Sequence, residues 1–175
     1  MVSTLEASDH ALQRPARALV QLEDAFDDLG TLYSFMQAIT KTIDRGELLH
    51  LAGTKILSIF PAASHVSVFL FNADDALRLA HIAGPRVPAQ PMGLPDRVKE
   101  AVIERRTAVL TSQTISASRG GADMYVPMID REEVLGVIHV SAGDQGDIFS
   151  RADLDLLKGM AAPAAVMLRN TRTHA

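Results

Sequence analysis

The stretch HVSVFLFNADDALRLAHIAG, residues 65–84, decides the fold class. Its first eight residues are rich in β-branched and aromatic side chains and alternate with a period of two. Residues 77–83 alternate again after the short polar turn Ala73-Asp74-Asp75. Two such runs joined by a short turn predict an antiparallel hairpin.

The same pattern recurs downstream. Met124–Ile129 and Val134–Ser141 flank Asp130-Arg131-Glu132 and predict a second hairpin. Ala108–Thr111 reads as a short extra strand. Around these strands the period becomes helical. Glu47–Phe60 places Leu49, Ala52, Ile56 and Phe60 on one face, and Pro61 stops it. Asp96–Arg106 forms a short helix with Val98, Ala101 and Val102 inward. The last helix starts at a capping-box spacing, Ser150 to Asp153, with Phe149 and Leu154 as a hydrophobic staple. It runs to about Thr171 and carries Leu157, Ala161, Ala164 and Leu168 as a small-residue stripe. Pro163 in its interior removes one backbone donor and is expected to kink it.

The N-terminal region divides in two. Residues 1–16 read as a flexible tail. From Arg17 to Ile43 apolar residues fall in a heptad-like stripe, with Leu22, Leu29, Met36 and Ile43 spaced by seven and Phe26 and Tyr33 on the second seam. Gly30 is expected to interrupt this helix, and residues 17–30 form a candidate signalling or dimer helix. The segments Pro85–Pro95 and Ser112–Gly121, rich in Pro, Gly and Ser, are read as irregular structure and a flexible loop. The order is therefore an α+β domain over residues 17–175 with an antiparallel sheet.

Composition narrows the function. The chain has 175 residues, 47% hydrophobic and 22% charged, enough apolar material for one core. A net charge of −4, with Arg105–Arg106, Arg169 and Arg172 scattered, argues against a nucleic-acid partner. The absence of Cys excludes disulfides, thiolate metal sites and a thiol nucleophile, and fits a cytoplasmic protein. No apolar run reaches the roughly 18 residues of a membrane span, so no membrane partner is expected. The six His residues show no metal-ligand spacing. No catalytic or phosphate-cradling motif is present. The expectation is a protein that is not an enzyme.

Three stretches taken together resemble the GAF domain family. They are VSVFLFN at 66–72 with LRLAHIAG at 77–84, then MYVPMI at 124–129 with VLGVIHV at 134–140, then FSRADLDLLKGMAAPAAVMLRN at 149–170. The resemblance covers about residues 31–172. It implies five or six strands in the sheet, terminal helices on one face, and a ligand pocket and the short helix on the other. It also implies a sensory or regulatory role in bacterial signalling, with a small-molecule ligand of unknown identity. A homodimer through the terminal helices is implied as well, with Leu22, Leu29, Met36, Leu157 and Ala164 as candidate contacts. The family's bilin-binding and methionine-sulfoxide-reducing branches depend on Cys, which is missing here. The Asn-Lys pair of its cyclic-nucleotide branch is missing from 141–147.

Strand parity divides each strand into two faces, and the resemblance implies that the sets holding Ser67 and His139 face the pocket. Ser67 and Phe69 share one face of the first strand. His139 falls on the polar set of the last strand, and Tyr125 is the candidate on its neighbour. On the second strand, residue 67 opposite 82 turns Ile82 to the pocket, whereas 67 opposite 81 turns His81 there. The first register is favoured, because it also assigns Leu77 and Leu79 to the helix-packed core. Two alternatives stand beside a small-molecule sensor. One is a ligand-free scaffold with its pocket collapsed on Phe69, Phe71 and Met128. The other is a haem sensor using a histidine.

Overall fold

The computed structural model describes residues 3–41, 44–111 and 123–173. Ile43 of the heptad stripe and the loop Ser112–Gly121 lie outside the described residues. The chain divides into two units, Met1–Ser34 and Phe35–Ala175.

The first unit is the body of helix α1, which spans Ser3–Ile39. Two expectations fail here. Residues 3–16 are helical rather than a tail, and Gly30 does not break the helix. The segment supplies Leu, Ala, Glu, Gln and Arg in quantity, and these strong helix formers outweigh the roughly 1 kcal/mol that one Gly costs. Pro15 is accommodated inside the helix. Leu19, Leu22, Phe26, Leu29 and Tyr33 are all exposed on it.

The second unit holds the sheet. Among the described residues it has five strands: β1 (His65–Phe71), β2 (Leu77–Ala83), β3 (Val109–Leu110), β4 (Asp123–Asp130) and β5 (Glu133–Ser141). Their order is β2-β1-β5-β4-β3, with every pairing antiparallel. Both hairpins predicted from period-two alternation are present.

Helix α2 (Arg45–Ile59) and helix α4 (Arg151–Thr173) pack on one face of this sheet. Asp44 caps α2 by accepting from the Glu47 N–H at 2.8 Å. The capping box of α4 is reciprocal: the Asp153 N–H donates to Ser150 Oγ at 3.1 Å, and the Ser150 N–H to Asp153 Oδ2 at 2.8 Å. Helix α4 runs on through Pro163. Its stripe Leu157, Ala161, Ala164 and Leu168 is buried in this layer, together with Val66, Val68, Met124, Val126, Ile138 and Val140. Phe35 and Ile39, at the end of α1, are buried in the same unit.

The other face carries the short helix α3 (Asp96–Lys99), which continues into one wider turn over Glu100–Glu104. There the Arg105 N–H reaches back five residues to the Glu100 carbonyl at 3.1 Å. Val98 and Val102 of this segment pack with Leu94 onto Phe69, Tyr125 and Val137.

Register settles the second strand. Ser67 pairs with Ile82 and Val68 with His81, so Ile82 shares the face of Ser67 and His81 turns to the helices. The His81 ring meets His50 of α2 edge-on at 5.9 Å and sits against Gly53. The assignment of Leu77 and Leu79 to the helix side is overturned. The pairing jumps from Val68–His81 to Phe69–Leu79, so Ala80 is an extra residue in β2. That bulge flips the start of the strand, and Leu77 packs against the cluster under α3.

Candidate functional site

Strand β1 presents His65, Ser67 and Phe69 on the face away from α2 and α4. Strand β5 presents Val137, His139 and Ser141 beside them, since Ser67 pairs with His139 and His65 with Ser141. Strand β4 adds Asp123 and Tyr125, paired with Ser141 and His139. Thr111, just after β3, holds Asp123 in place: its N–H donates to the Asp123 carbonyl at 2.9 Å, and the Asp123 N–H donates to Thr111 Oγ1 at 2.8 Å.

A roof covers these residues. Gly84 has φ +150, and a Cβ there would lie 2.5 Å from His65 Cα, so only glycine lets the chain leave β2 this close to β1. The Arg86 N–H then donates to the Ser64 carbonyl at 3.1 Å, and Ser64 Oγ donates to the Arg86 carbonyl at 3.0 Å. The chain from Pro88 to Pro95 crosses above the sheet. Between roof and strands lies a cavity of about 320 Å³. This is near the lower end of the range for small-molecule sites.

Ser67, Phe69, Tyr125 and His139, all named as candidates from the sequence, line this one cavity. Ile82 has the predicted face but does not line it, because it sits on edge strand β2. His65 and Ser141, which share the strand faces of Ser67 and His139, also line it, as does Asp123, which the sequence reading missed. Asp123 falls between the loop Ser112–Gly121 and the strand predicted from Met124, and belongs to neither in the sequence reading. Its distance of two residues from Tyr125 carries the signal, since one more strand residue places it on the same face.

The polar end of the cavity is a compact array. His139 Nε2 lies 3.2 Å from Asp123 Oδ2, but off the line of the ring N–H, so the contact is electrostatic rather than a formed hydrogen bond. The His139 ring stacks on Tyr125 with centroids 4.3 Å apart and planes 3° from parallel. The His65 ring meets it edge-on at 5.6 Å. The Tyr125 hydroxyl donates to Asp123 Oδ2 at 3.4 Å, and the Ala142 N–H to Asp123 Oδ1 at 3.2 Å.

These contacts set the protonation states. Burial alone would raise the Asp123 pKa, yet His139, Ser141 and the Ala142 N–H together hold it below the ordinary carboxylate value. Tyr125 is pushed well above an ordinary phenol, by burial and then by the Asp123 charge. His65 is lowered, first by burial and then by His139, against a smaller opposing pull from Asp123.

The collapsed-pocket arrangement is present only in part. Phe69 does fill sheet surface beneath α3. Met128 pairs with Gly136 on the helix face, and Phe71 lines a different hollow. That hollow, about 540 Å³, is wide open at the far end of the sheet. Its Arg106 and Arg131 are balanced by Asp75, Glu132 and Glu133. Of the dimer candidates, Leu22, Leu29 and Met36 are exposed. Leu157 and Ala164 are buried in their own chain, because the small-residue stripe of α4 seats against the sheet. Among the described residues no three His, Asp or Glu side chains gather as a metal site, and no helix is long and apolar enough to cross a membrane.

Several solved structures share this shape at low sequence identity. The GAF domain of a phosphoenolpyruvate-protein phosphotransferase from Acinetobacter superposes with a TM-score of 0.66 at 17% identity, covering 84% of this chain and 95% of that one. The corresponding domain from Coxiella burnetii gives 0.68 at 15%, over 86% and 97%. A free methionine-R-sulfoxide reductase from Neisseria meningitidis, solved with its substrate, gives 0.69 at 16%, over 83% and 90%. No curated protein matches in sequence. The GAF domain family, whose members are typically regulatory parts of signalling proteins, matches residues 56–170. That match spans the sheet, the roof and α4, and by it this chain belongs to the GAF domain family.

Proposed function

We propose that this chain is a non-catalytic sensory domain of a cytoplasmic signalling system, and that it binds a small molecule between the sheet and the 88–95 roof. The observation that carries this reading is the cavity of about 320 Å³ lined by Ser67, Asp123, Tyr125 and His139. Burying a carboxylate and an imidazole beside an apolar roof costs free energy in an empty domain, and a ligand that bonds to them offsets the cost. The lack of Cys supports a role without catalysis, since thiol chemistry is closed to this chain. Native mass spectrometry and a thermal-shift screen on the purified protein test the reading. A retained ligand, or a melting shift that is lost in Ser67→Leu, is the expected result. No retained mass and no shift across nucleotides, haem and amino acids would overturn it.

A second reading rests on α1. Leu19, Leu22, Phe26, Leu29 and Tyr33 follow one another at spacings of three and four residues, the seam of a coiled coil, and all are exposed. Acidic Asp24, Asp27 and Asp28 lie off that seam. A second copy of the chain is the partner that matches such a seam, and the domain then acts as a homodimer.

A further inference from the structure

The charge of the cavity selects the chemistry of what enters it. Among the described residues that line it, none is Lys or Arg. The fixed charge is Asp123, which accepts from the Tyr125 hydroxyl and the Ala142 N–H while His139 Nε2 lies 3.2 Å away. Three such partners favour the ionised carboxylate. Asp123 in turn chooses the tautomer of His139. A lone pair on Nε2 would set two acceptors 3.2 Å apart, so Nε2 carries a proton, and in the neutral ring the Nδ1 lone pair is then left as an acceptor. Ser67 is the cross-strand partner of His139, and its hydroxyl makes no hydrogen bond to a described residue. The cavity therefore pairs one acceptor and one hydroxyl with a nearby negative charge, under walls formed by Phe69, Pro91, Met92 and Leu94.

We infer that this site takes a compact, ring-bearing molecule that is neutral or cationic and offers an N–H donor, and that it rejects anions such as phosphates and carboxylates. This inference rests on the proposed ligand-binding role of the cavity. A ligand N–H would donate to His139 Nδ1, and a ligand acceptor would take the Ser67 hydroxyl. An anion would meet the Asp123 charge in a partly dry setting, with no Lys or Arg among the described lining residues to offset it.

A set of probes with one ring and three charges tests this. Benzamide is neutral, benzamidine cationic and benzoate anionic. Each is titrated into the full ¹⁵N-labelled chain, following the amide resonances of Ser67, Tyr125 and His139. Benzamide and benzamidine are expected to bind at least about tenfold more tightly than benzoate. The near-isosteric Asp123→Asn chain should narrow that gap, by weakening benzamidine and strengthening benzoate. Benzoate binding as well as or better than the other two in the unaltered chain would overturn the charge selection while leaving the ligand cavity standing. No probe of any charge shifting these resonances would overturn the cavity reading, and this inference with it.

Discussion

At the scale of single residues, two glycines with similar sequence surroundings carry opposite consequences. Gly136 lies in β5 where a Cβ would fall 2.1 Å from the Phe69 carbonyl and 2.7 Å from Leu70 Cδ2. Gly136→Ala is expected to destabilise the sheet by about 2–4 kcal/mol, seen as a lower urea midpoint. Gly30 has nothing within 4 Å of where its Cβ would be, in the middle of α1. Gly30→Ala should raise helicity, by about 1 kcal/mol of local helix propensity, measured by circular dichroism. Unchanged stability in the first variant, or lost helicity in the second, would contradict the packing described. His81 offers a test in pH. Its Nε2 is buried without a partner, and burial followed by His50 lowers its pKa from 6.5. The unfolded chain takes up the proton first, so His81 supports folding above about pH 6.5, and that support is lost as pH falls through the folded value. Replacing it in His81→Leu should flatten the fall in melting temperature between neutral and mildly acidic pH. His65, lowered for a similar reason, keeps some slope in the variant. An unchanged pH profile would remove His81 from the account.

At the scale of elements, the β4–β5 hairpin stores correctable strain. Arg131 and Glu132 both sit at positive φ, 48° and 68°, in a two-residue turn closed by the Asp130–Glu133 pair. This is the turn geometry that favours Asn-Gly. The double substitution Arg131→Asn with Glu132→Gly should stabilise the domain by about 1 kcal/mol in chemical denaturation. A loss of stability would mean that the side chains of the turn contribute more than the strain costs. The adjoining Asp130 and Glu133 are left intact because both accept from Arg169 of α4, which ties the hairpin to that helix. Local rules were legible at this scale. Alternation identified the strands, and Ser150 with Asp153 identified the start of α4. The bulge at Ala80 was not legible, because an extra residue on one strand is chosen by its neighbours and leaves no mark in its own alternation.

At the scale of the whole molecule, α1 and α4 divide the role that the sequence reading gave to both. The apolar stripe of α4 is consumed by its own core, whereas that of α1 is exposed. Light scattering on the full chain should report a dimer, and the variant with Leu22→Glu and Leu29→Glu a monomer. An unchanged mass would sink the coiled-coil reading. Intact sheet structure in the variant, checked by circular dichroism, separates lost assembly from lost folding.

The sequence by itself determined the two hairpins, the helices that flank them and their order, but not the unbroken length of α1 or the faces of β2. The hairpins and helices follow from periods of two and 3.6, from caps and from Pro and Gly positions, which act over a few residues. Parity grouped Ser67 with Phe69 and set His139 on the polar side of its strand, while the family resemblance chose the faces that look into the pocket. Only the tertiary structure decided that Asp123 joins His139, that Ile82 stands outside the cavity, and that α4 hides its stripe. Each of these depends on which strands are neighbours and where the roof crosses them. Such contacts join residues far apart in the chain, and no local pattern encodes them.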